Sequence, residues 1–177
     1  GCGGGDICEA LLEWAKRKRY GLTLIGIDSH PHAVRLAKER LAGKPEINII
    51  SSDFFESKFS EGSFDVVISS MIIHHLTKDK LAFFLWKAYR LAKVGVILTD
   101  LRRIYPAYWA AKNVVPKLAP KSAIFANDAQ LSFRRSYTLR EMREILVKGG
   151  YPYTARCPWW APFRILLESD RPVLDKK

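Results

Sequence analysis

The sequence is poor in cysteine and has no long hydrophobic run. Its three cysteines, Cys2, Cys8 and Cys157, have neither the spacing of a metal site nor the even number of a disulfide framework. No apolar run approaches the length of about eighteen residues that a membrane-spanning helix needs. Internal repeats and low-complexity tracts are also absent. These absences predict a globular protein of a reducing compartment, the cytoplasm, that folds as one domain over residues 1–177 and holds no metal.

Acidic residues are scarce in one half of the chain. Residues 1–88 contain 12 lysines and arginines against 11 acidic residues, whereas residues 89–177 contain 17 against 7. An anionic binding partner would therefore contact the C-terminal half of the chain. An anionic substrate, a nucleic acid or an acidic lipid surface would each fit, and so would a surface that is charged only for solubility.

Helical and strand patterns alternate regularly up to residue 101. Such an alternation implies right-handed crossovers, so we expect an α/β fold with a doubly wound, mainly parallel sheet and helices on both faces. Two further strand-like runs near the C-terminus predict an antiparallel pair at the sheet edge. The predicted helices cover 6–19, 31–43, 77–93 and 138–150, and the predicted strands cover 22–28, 47–53, 64–71, 94–101, 151–159 and 161–169.

Residues 102–137 interrupt this alternation with aromatic, basic and proline residues. We expect two short helices here before the regular helix that starts at residue 138. A long excursion at this point of an α/β domain is often a lid or a substrate-binding segment. The sequence therefore predicts a substrate-binding insert at 102–137.

The chain opens with a glycine-rich loop, "GCGGGD", that runs directly into the first helix. Glycines allow a ligand to approach the backbone closely, and the helix N-terminus adds free N–H groups. A dinucleotide site would have the spacing G-x-G-x-x-G, but the sixth position here is Asp6. Its carboxylate would repel a pyrophosphate and would tolerate a cationic ligand.

Two carboxylates follow the next two strands. Asp28 ends the first of these strands, where a carboxylate can accept hydrogen bonds from both ribose hydroxyls. Asp53 follows the second and is suitably placed for the exocyclic amine of an adenine. The strand at 64–71 brings Ser69 and Ser70 to the same edge. Together these residues predict a site for an adenosine without phosphate, unless each aspartate merely caps a helix or turn.

In these motifs the sequence resembles the class I S-adenosylmethionine-dependent methyltransferases. The resemblance rests on "GCGGG", "GIDSHP", "SSDFF" and "FDVVISSMIIHHL" and covers nearly the whole chain. It implies a Rossmann-like fold and S-adenosyl-L-methionine as the cofactor. In that family a central first strand, with an acidic residue, precedes the glycine loop, so we expect this chain to be an N-terminally truncated fragment with the first strand missing. The cofactor-binding residues that the resemblance implies are Gly1, Gly3, Gly5, Asp28, Ser29, Asp53, Phe54 and Ser70.

Candidate catalytic residues follow two later strands. His74 and His75 come after the strand at 64–71, and a histidine can take a phenol or hydroxyl proton near neutral pH. Asp100 ends the strand at 94–101 and could orient the acceptor or accept its proton. Alternatively, the histidines pack on the next helix, and Asp100 belongs to a surface ion pair or a helix start.

The insert supplies the candidate substrate residues. Its aromatic side chains, with Trp159 and Trp160 near the C-terminus, favour a bulky apolar or aromatic acceptor, although at helical spacing they could simply pack. Arginines beside them could hold a carboxylate or phenolate. The predicted substrate-binding residues are Arg103, Tyr105, Tyr108, Trp109 and Arg134, and Arg102, Phe125, Phe133 and Arg135 could contribute.

The sequence from "TDLRR" to "PFRILLE" resembles that of a bacterial subgroup that includes methyltransferases encoded beside type III polyketide synthases. This resemblance implies O- or C-methylation of a phenolic, quinone-like or polyketide-like acceptor. Because such acceptors are often lipid-like, the basic and aromatic insert also predicts a peripheral membrane contact.

Two other functions compete with this interpretation. A nucleic-acid methyltransferase would fit the basic half, but the chain has "SSMI" where amino-methylating enzymes usually carry N/D-P-P-Y/F, and Cys157 is not placed as a nucleophile. Nucleic acid is therefore not the expected partner. The other alternative is a cofactor-binding, methyltransferase-like protein without activity, against which the intact glycines, Asp28 and Asp53 argue.

Overall fold

The structure, a computed structural model, describes residues 1–114 and 131–170, without the side chains of residues 110 and 111. Residue contacts divide the chain into two compact units, Gly1–Lys58 and Phe59–Lys177. Each unit has its own sheet. That residues 1–177 form one domain stays a prediction.

The first unit consists of a two-stranded sheet and two helices. The strands pair in parallel, with Leu24 opposite Ile47 and Asp28 opposite Ser51. Parallel pairing brings the carboxyl ends of both strands to one edge, so the loops after Asp28 and Ser51 lie side by side. In chain order the elements are α1 (Asp6–Lys18), β1 (Leu24–Asp28), α2 (Pro31–Arg40) and β2 (Ile47–Ser51).

The core of the first unit is built from both helices and β2. Its buried members are Cys8, Val34, Ala37, Leu41 and Ile49. Cys2, Leu24 and Ile47 pack against them. The glycine loop is thus tied to the core through the Cys2 side chain.

The second unit contains a four-stranded sheet with the order β3-β4-β6-β5. β3 and β4 pair in parallel, whereas β6 runs antiparallel to both β4 and β5. A short 3-10 helix at Ile73–His75 follows β3. The other elements in chain order are β3 (Phe64–Ser70), α3 (Lys78–Leu91), β4 (Ala92–Leu101), α4 (Tyr105–Asn113), α5 (Leu139–Gly149), β5 (Thr154–Arg156) and β6 (Arg164–Asp170).

Helix α3 packs its apolar face against β3 and β4. The side chains that recur at helical spacing are all buried: Leu81, Phe84, Leu85, Ala88 and Leu91. The buried Tyr153 hydroxyl donates to the Leu85 carbonyl of this helix at 2.8 Å. Burial raises the pKa of Tyr153, so this hydroxyl remains a donor at neutral pH.

The predicted order of helices and strands is confirmed, including the antiparallel pair near the C-terminus. β5 is shorter than predicted, and β4 begins earlier because α3 ends at Leu91 and the buried Ala92 continues directly into the strand. In the predicted insert, α4 and a helical stretch at 131–135 are present. Residues 115–130, which include Phe125, lie outside the described residues. No helix in the described ranges is long and apolar enough to cross a membrane.

Candidate functional site

The glycine loop, residues 1–5, is a tight turn that leads directly into α1 and lies against the end of β1. The Cys2 N–H donates to the Ile27 carbonyl at 2.8 Å, and the Gly5 N–H donates to the Cys2 carbonyl at 3.1 Å. Gly3 and Gly5 both have positive φ, 54° and 78°, which side-chain-bearing residues rarely adopt. Gly1 is exposed at the outer end of the turn.

Gly3 and Gly5 are required for different reasons. A Cβ on Gly5 would lie 2.7 Å from Leu41 Cδ1 and 3.3 Å from Ala37 Cβ, so Gly5 lets α1 pack closely on α2. A Cβ on Gly3 would meet nothing within 4 Å. Open space therefore lies beside Gly3, and a ligand can approach the backbone there.

Substituting these glycines is expected to separate packing from ligand approach. Gly5→Ala combines a left-handed alanine with a steric clash, and we expect it to lower the free energy of unfolding by about 2–4 kcal/mol. Gly3→Ala meets no atom and should cost about 1 kcal/mol for its backbone conformation alone. Urea denaturation measures both.

Gly21→Ala is the matched control, because Gly21 has open space around its Cβ position and no positive φ. Its effect should stay within about 0.5 kcal/mol. Equal destabilisation by Gly3→Ala and Gly5→Ala would contradict the division of roles.

Asp28 connects the glycine loop to the end of β1. Its Oδ2 accepts a hydrogen bond from the Gly3 N–H at 2.8 Å, and its Oδ1 accepts one from the His30 N–H at 2.9 Å. The carboxylate thus closes a turn, as the alternative interpretation held, and it also fixes the glycine loop. A carboxylate has about four lone-pair sites, so these two bonds leave acceptor capacity on both oxygens.

Asp53 lies beyond β2, next to the end of β1. The Ser52 N–H donates to the Asp28 carbonyl at 3.0 Å, which holds the two strand ends together. Asp53 is exposed, and its Oδ1 accepts from the Phe55 N–H at 2.8 Å. Phe54 is half-buried beside it, and Ser29 is exposed after β1. The first unit therefore brings seven of the eight predicted cofactor residues to one edge, and Ser70 lies in the second unit.

The cysteines of the first unit face its core. Burial is the main cause that raises the pKa of Cys2 to about 11, and burial also raises the pKa of Cys8. Both thiols are therefore protonated at neutral pH and are poor nucleophiles.

In the second unit, His74 and Asp100 form a buried pair. His74 Nδ1 lies 2.7 Å from Asp100 Oδ1, and each residue is 4% exposed. The backbone N–H groups of His74 and Leu101 donate to the same carboxylate, at 3.2 Å and 2.6 Å. A carboxylate oxygen without a proton only accepts, so in this contact the His74 Nδ1–H donates to Asp100.

His75 is the exposed member of the histidine pair. Its ring centroid lies 4.0 Å from that of His74, with the two planes inclined by 41°. Asp100 and His74 are therefore positioned to hold His75, and only His75 of the three faces solvent.

Ser70 ends β3 just before these histidines. It is half-buried and lies opposite Thr99, and Met71 follows it with a positive φ of 64°.

A cavity of about 410 Å³ lies at the carboxyl end of β4. Three aromatic residues, one isoleucine and two arginines line it: Arg103, Ile104, Tyr105, Tyr108, Phe133 and Arg134. It brings together all the predicted substrate residues except Trp109, which is on α4 but does not line it. Both flanks of the predicted insert contribute to this cavity, as the aromatic and basic pattern indicated.

The two arginines of the cavity differ in their partners. Arg103 forms a short ion pair with Glu141, whereas Arg134 is exposed and has no ion-pair partner within residues 1–114 and 131–170. Although burial opposes it, hydrogen bonds from Thr138 and the charge of Arg103 lower the pKa of Glu141. Among the described residues, Arg134 is therefore the arginine of the cavity without an ion-pair partner.

Tyr137 and Glu141 also belong to the surroundings of Arg103, although no sequence pattern above predicted them as site residues. The Arg103 N–H donates to the Tyr137 carbonyl at 2.9 Å, and burial with the charges of Glu141 and Asp100 raises the pKa of Tyr137. Glu141 and Thr138 form a capping box at the start of α5. The pattern T-x-x-E was the signal that could have identified Glu141.

Arg102, considered as an anion ligand, has another role. Its Nη1 donates to Cys157 Sγ at 3.2 Å and to the Pro162 carbonyl at 3.3 Å. It therefore holds the loop between β5 and β6, outside the cavity lining.

Comparison with known proteins gives a family match over residues 1–99, described as "Methyltransferase domain". An uncharacterized methyltransferase of Synechocystis is 31% identical over 110 residues, which are 61% of this chain and 47% of that protein. Phosphoethanolamine N-methyltransferase of Plasmodium falciparum is 31% identical over 99 residues, which are 55% of this chain and 35% of that protein. The chain thus spans less than half the length of these curated relatives.

Solved structures give matches over almost the whole chain. The plantazolicin methyltransferase, crystallised with a triazolic desmethylPZN analog and SAH, matches with a TM-score of 0.73 at 18% identity. The matched region covers 97% of this chain and 75% of the plantazolicin methyltransferase chain. The CMeT domain of the citrinin polyketide synthase matches with a TM-score of 0.68 at 14% identity, over 97% of this chain and 45% of the solved chain. At such identities the likeness establishes a shared fold.

Proposed function

Because the chain belongs to the methyltransferase-domain family, we propose that it transfers a methyl group from S-adenosyl-L-methionine to a small aromatic, phenolic, quinone-like or polyketide-like acceptor. The Rossmann-like fold expected for this function is confirmed by the solved structures. The observation that carries the proposal is the hydrogen bond from the Gly3 N–H to Asp28, which sets a carboxylate beside open space at the glycine loop.

The residues of the first unit fit the adenosine part of this cofactor. Asp28 retains acceptor capacity for ribose hydroxyls, and Asp53 is exposed where it can accept from an adenine amine. Asp6, exposed at the start of α1, is unfavourable for a phosphate and tolerable for a sulfonium cation. Gly1, Gly5, Ser29 and Phe54 surround these groups, and Ser70 is assigned to the methionine end from the family resemblance.

The cofactor supplies a methyl group activated on a positively charged sulfur, and its transfer is an in-line displacement. Alignment of the acceptor is therefore the main contribution of the protein. Tyr105, Tyr108 and Phe133 offer ring surfaces to a planar acceptor, and the cavity volume lies within the range of about 300–1,000 Å³ that is usual for small-molecule sites. Arg134 can bind a carboxylate or phenolate on that acceptor.

Proton removal is assigned to His75, the exposed histidine. Asp100 holds the His74 ring, and the His74 ring packs against His75, so Asp100 and His74 are positioning residues. A phenolic acceptor would lose its proton to His75.

The proposal is tested by cofactor binding and by methyl transfer. S-adenosylhomocysteine and NADH are titrated separately into the chain by calorimetry, and labelled S-adenosylmethionine is then offered with 1-naphthol, a hydroquinone, resorcinol or RNA. Binding of S-adenosylhomocysteine alone, with label in a phenolic acceptor, supports the proposal. Label in RNA, or cofactor binding without any transfer, would overturn it in favour of one of the two alternatives, and NADH binding would overturn the choice of cofactor.

The cavity is tested by Arg134→Ala. For a hydroxybenzoate acceptor, loss of a charged hydrogen bond worth about 1.5–3 kcal/mol is expected to raise KM by about 10- to 100-fold with little change in kcat. Arg135→Ala is the matched control, because Arg135 is the adjacent exposed arginine and does not line the cavity. If both variants raise KM equally, general surface charge and not the cavity binds the acceptor.

A further inference from the structure

We call residues 157–163, which join β5 to β6, the tryptophan loop. The Ala161 N–H donates to the Pro158 carbonyl at 3.0 Å, and the Arg164 N–H donates to the Ala161 carbonyl at 3.0 Å. Arg102 fastens the loop base, since its side chain reaches Cys157 and Pro162 and its backbone N–H donates to the Phe163 carbonyl at 2.8 Å. Hydrogen bonds within the loop and from Arg102 therefore hold its conformation.

Large aromatic side chains lie on the tryptophan loop. Trp159 is 90% exposed, Trp160 is 66% exposed and Phe163 is 49% exposed. Exposing the apolar surface of two adjacent indoles to water is unfavourable, whereas the headgroup region of a bilayer, where tryptophan is enriched, accommodates them.

The surroundings of the tryptophan loop are basic. Arg164 begins β6 opposite Leu101, and Arg102 precedes the cavity residue Arg103, so the loop and the cavity share the carboxyl end of β4. Arg102, Arg134, Arg135 and Arg164 take part in no ion pair within the described ranges. The acids nearby are already engaged, Asp100 by His74 and Glu141 by Arg103.

We propose that the tryptophan loop docks the chain on an anionic lipid bilayer, with Trp159 and Trp160 inserted among the headgroups and with Arg134, Arg135 and Arg164 facing the acidic lipids. Two exposed indoles can enter the headgroup region of a bilayer, and the neighbouring arginines attract its anionic lipids. Docking through this loop brings the cavity to the membrane, where an apolar acceptor would be dissolved. This consequence rests on the proposed function, whereas the docking itself needs neither cofactor nor acceptor.

The test is co-sedimentation with vesicles of phosphatidylcholine alone or with on the order of 30 mol% phosphatidylglycerol. We expect binding to the anionic vesicles, weakening as NaCl rises from about 0.1 M to about 0.5 M. Trp159→Ala/Trp160→Ala should lower the partition coefficient by about tenfold or more. Trp86→Ala is the control, because Trp86 is an exposed tryptophan outside the tryptophan loop. It lies on α3, is 48% exposed and has the Arg90 guanidinium over its ring.

Three results would overturn the docking surface: no binding of the wild-type chain to anionic vesicles, equal binding by the double variant, or a wild-type dimer that the double variant converts to monomer. In the last case a second copy covers the loop. Titration of S-adenosylhomocysteine into the double variant should give wild-type affinity. That measurement separates a failure of docking from a failure of the proposed methyl transfer.

Discussion

Replacing Asp28 by alanine is expected to weaken S-adenosylhomocysteine binding by about 100-fold, because charged hydrogen bonds of about 1.5–3 kcal/mol each are lost. The variant removes the acceptor proposed for the ribose hydroxyls. It also releases the Gly3 and His30 N–H groups, which Asp28 binds at 2.8 Å and 2.9 Å. Calorimetric titration measures the affinity.

Glu39→Ala is the matched control for the loss of one negative charge. Glu39 lies in the same unit, on α2, where it pairs with Arg35 at the surface. Its removal should cost only about 0.3–0.5 kcal/mol of stability, as for an exposed i,i+4 pair, and should leave the affinity within about twofold of wild type. Unchanged affinity in a folded Asp28→Ala variant would remove Asp28 from the proposed site.

A double-mutant cycle distinguishes ribose binding from loop positioning. If Asp28 acts partly by holding the glycine loop, Gly3→Ala and Asp28→Ala are coupled, and their combined effect on affinity is smaller than the sum of the single effects. If Asp28 acts on the ligand alone, the two effects add. Asp28→Asn should lie between wild type and Asp28→Ala, because its amide oxygen can still accept from one of the two N–H groups.

The parts of this site that the sequence predicted depend on periodicity and strand order. Asp28 and Asp53 both follow strands whose apolar patterns are clear, and parallel pairing then brings their strand ends together. The aromatic and basic pattern at Arg103, Tyr108 and Arg134 likewise predicted residues that line one cavity. Such features follow from local pattern and topology.

Other features depend on contacts between distant segments, and no local pattern contains them. The need for Gly5 comes from Leu41, which follows the end of α2, and the role of Arg102 comes from its bonds to Cys157 and Pro162. Hydrophobicity alone would place Trp159 in a core, yet it is 90% exposed. These roles are decided by side-chain geometry in the folded chain.

Replacing Asp100 by alanine is expected to cause the largest loss of stability, about 3–5 kcal/mol, because it breaks a buried pair by removing one partner. The His74 ring, the His74 N–H and the Leu101 N–H would all lose their acceptor in a site that is 4% exposed. Urea denaturation measures the free energy of unfolding. Asp65→Ala on β3 is the control, since the Asp65 side chain is 80% exposed and its change should stay within about 0.5 kcal/mol.

Asp100→Asn separates the backbone contacts from the contact with the His74 ring. Its amide oxygen can accept from one backbone N–H, so it should restore part of the stability while leaving the His74 ring free to turn. If Asp100 is a positioning residue for His75, the folded Asn variant should then lower kcat for a phenolic acceptor and leave KM and cofactor affinity unchanged. An Asp100→Asn variant with wild-type kcat would instead give Asp100 a purely structural role, and the proton would leave the acceptor without help from this pair.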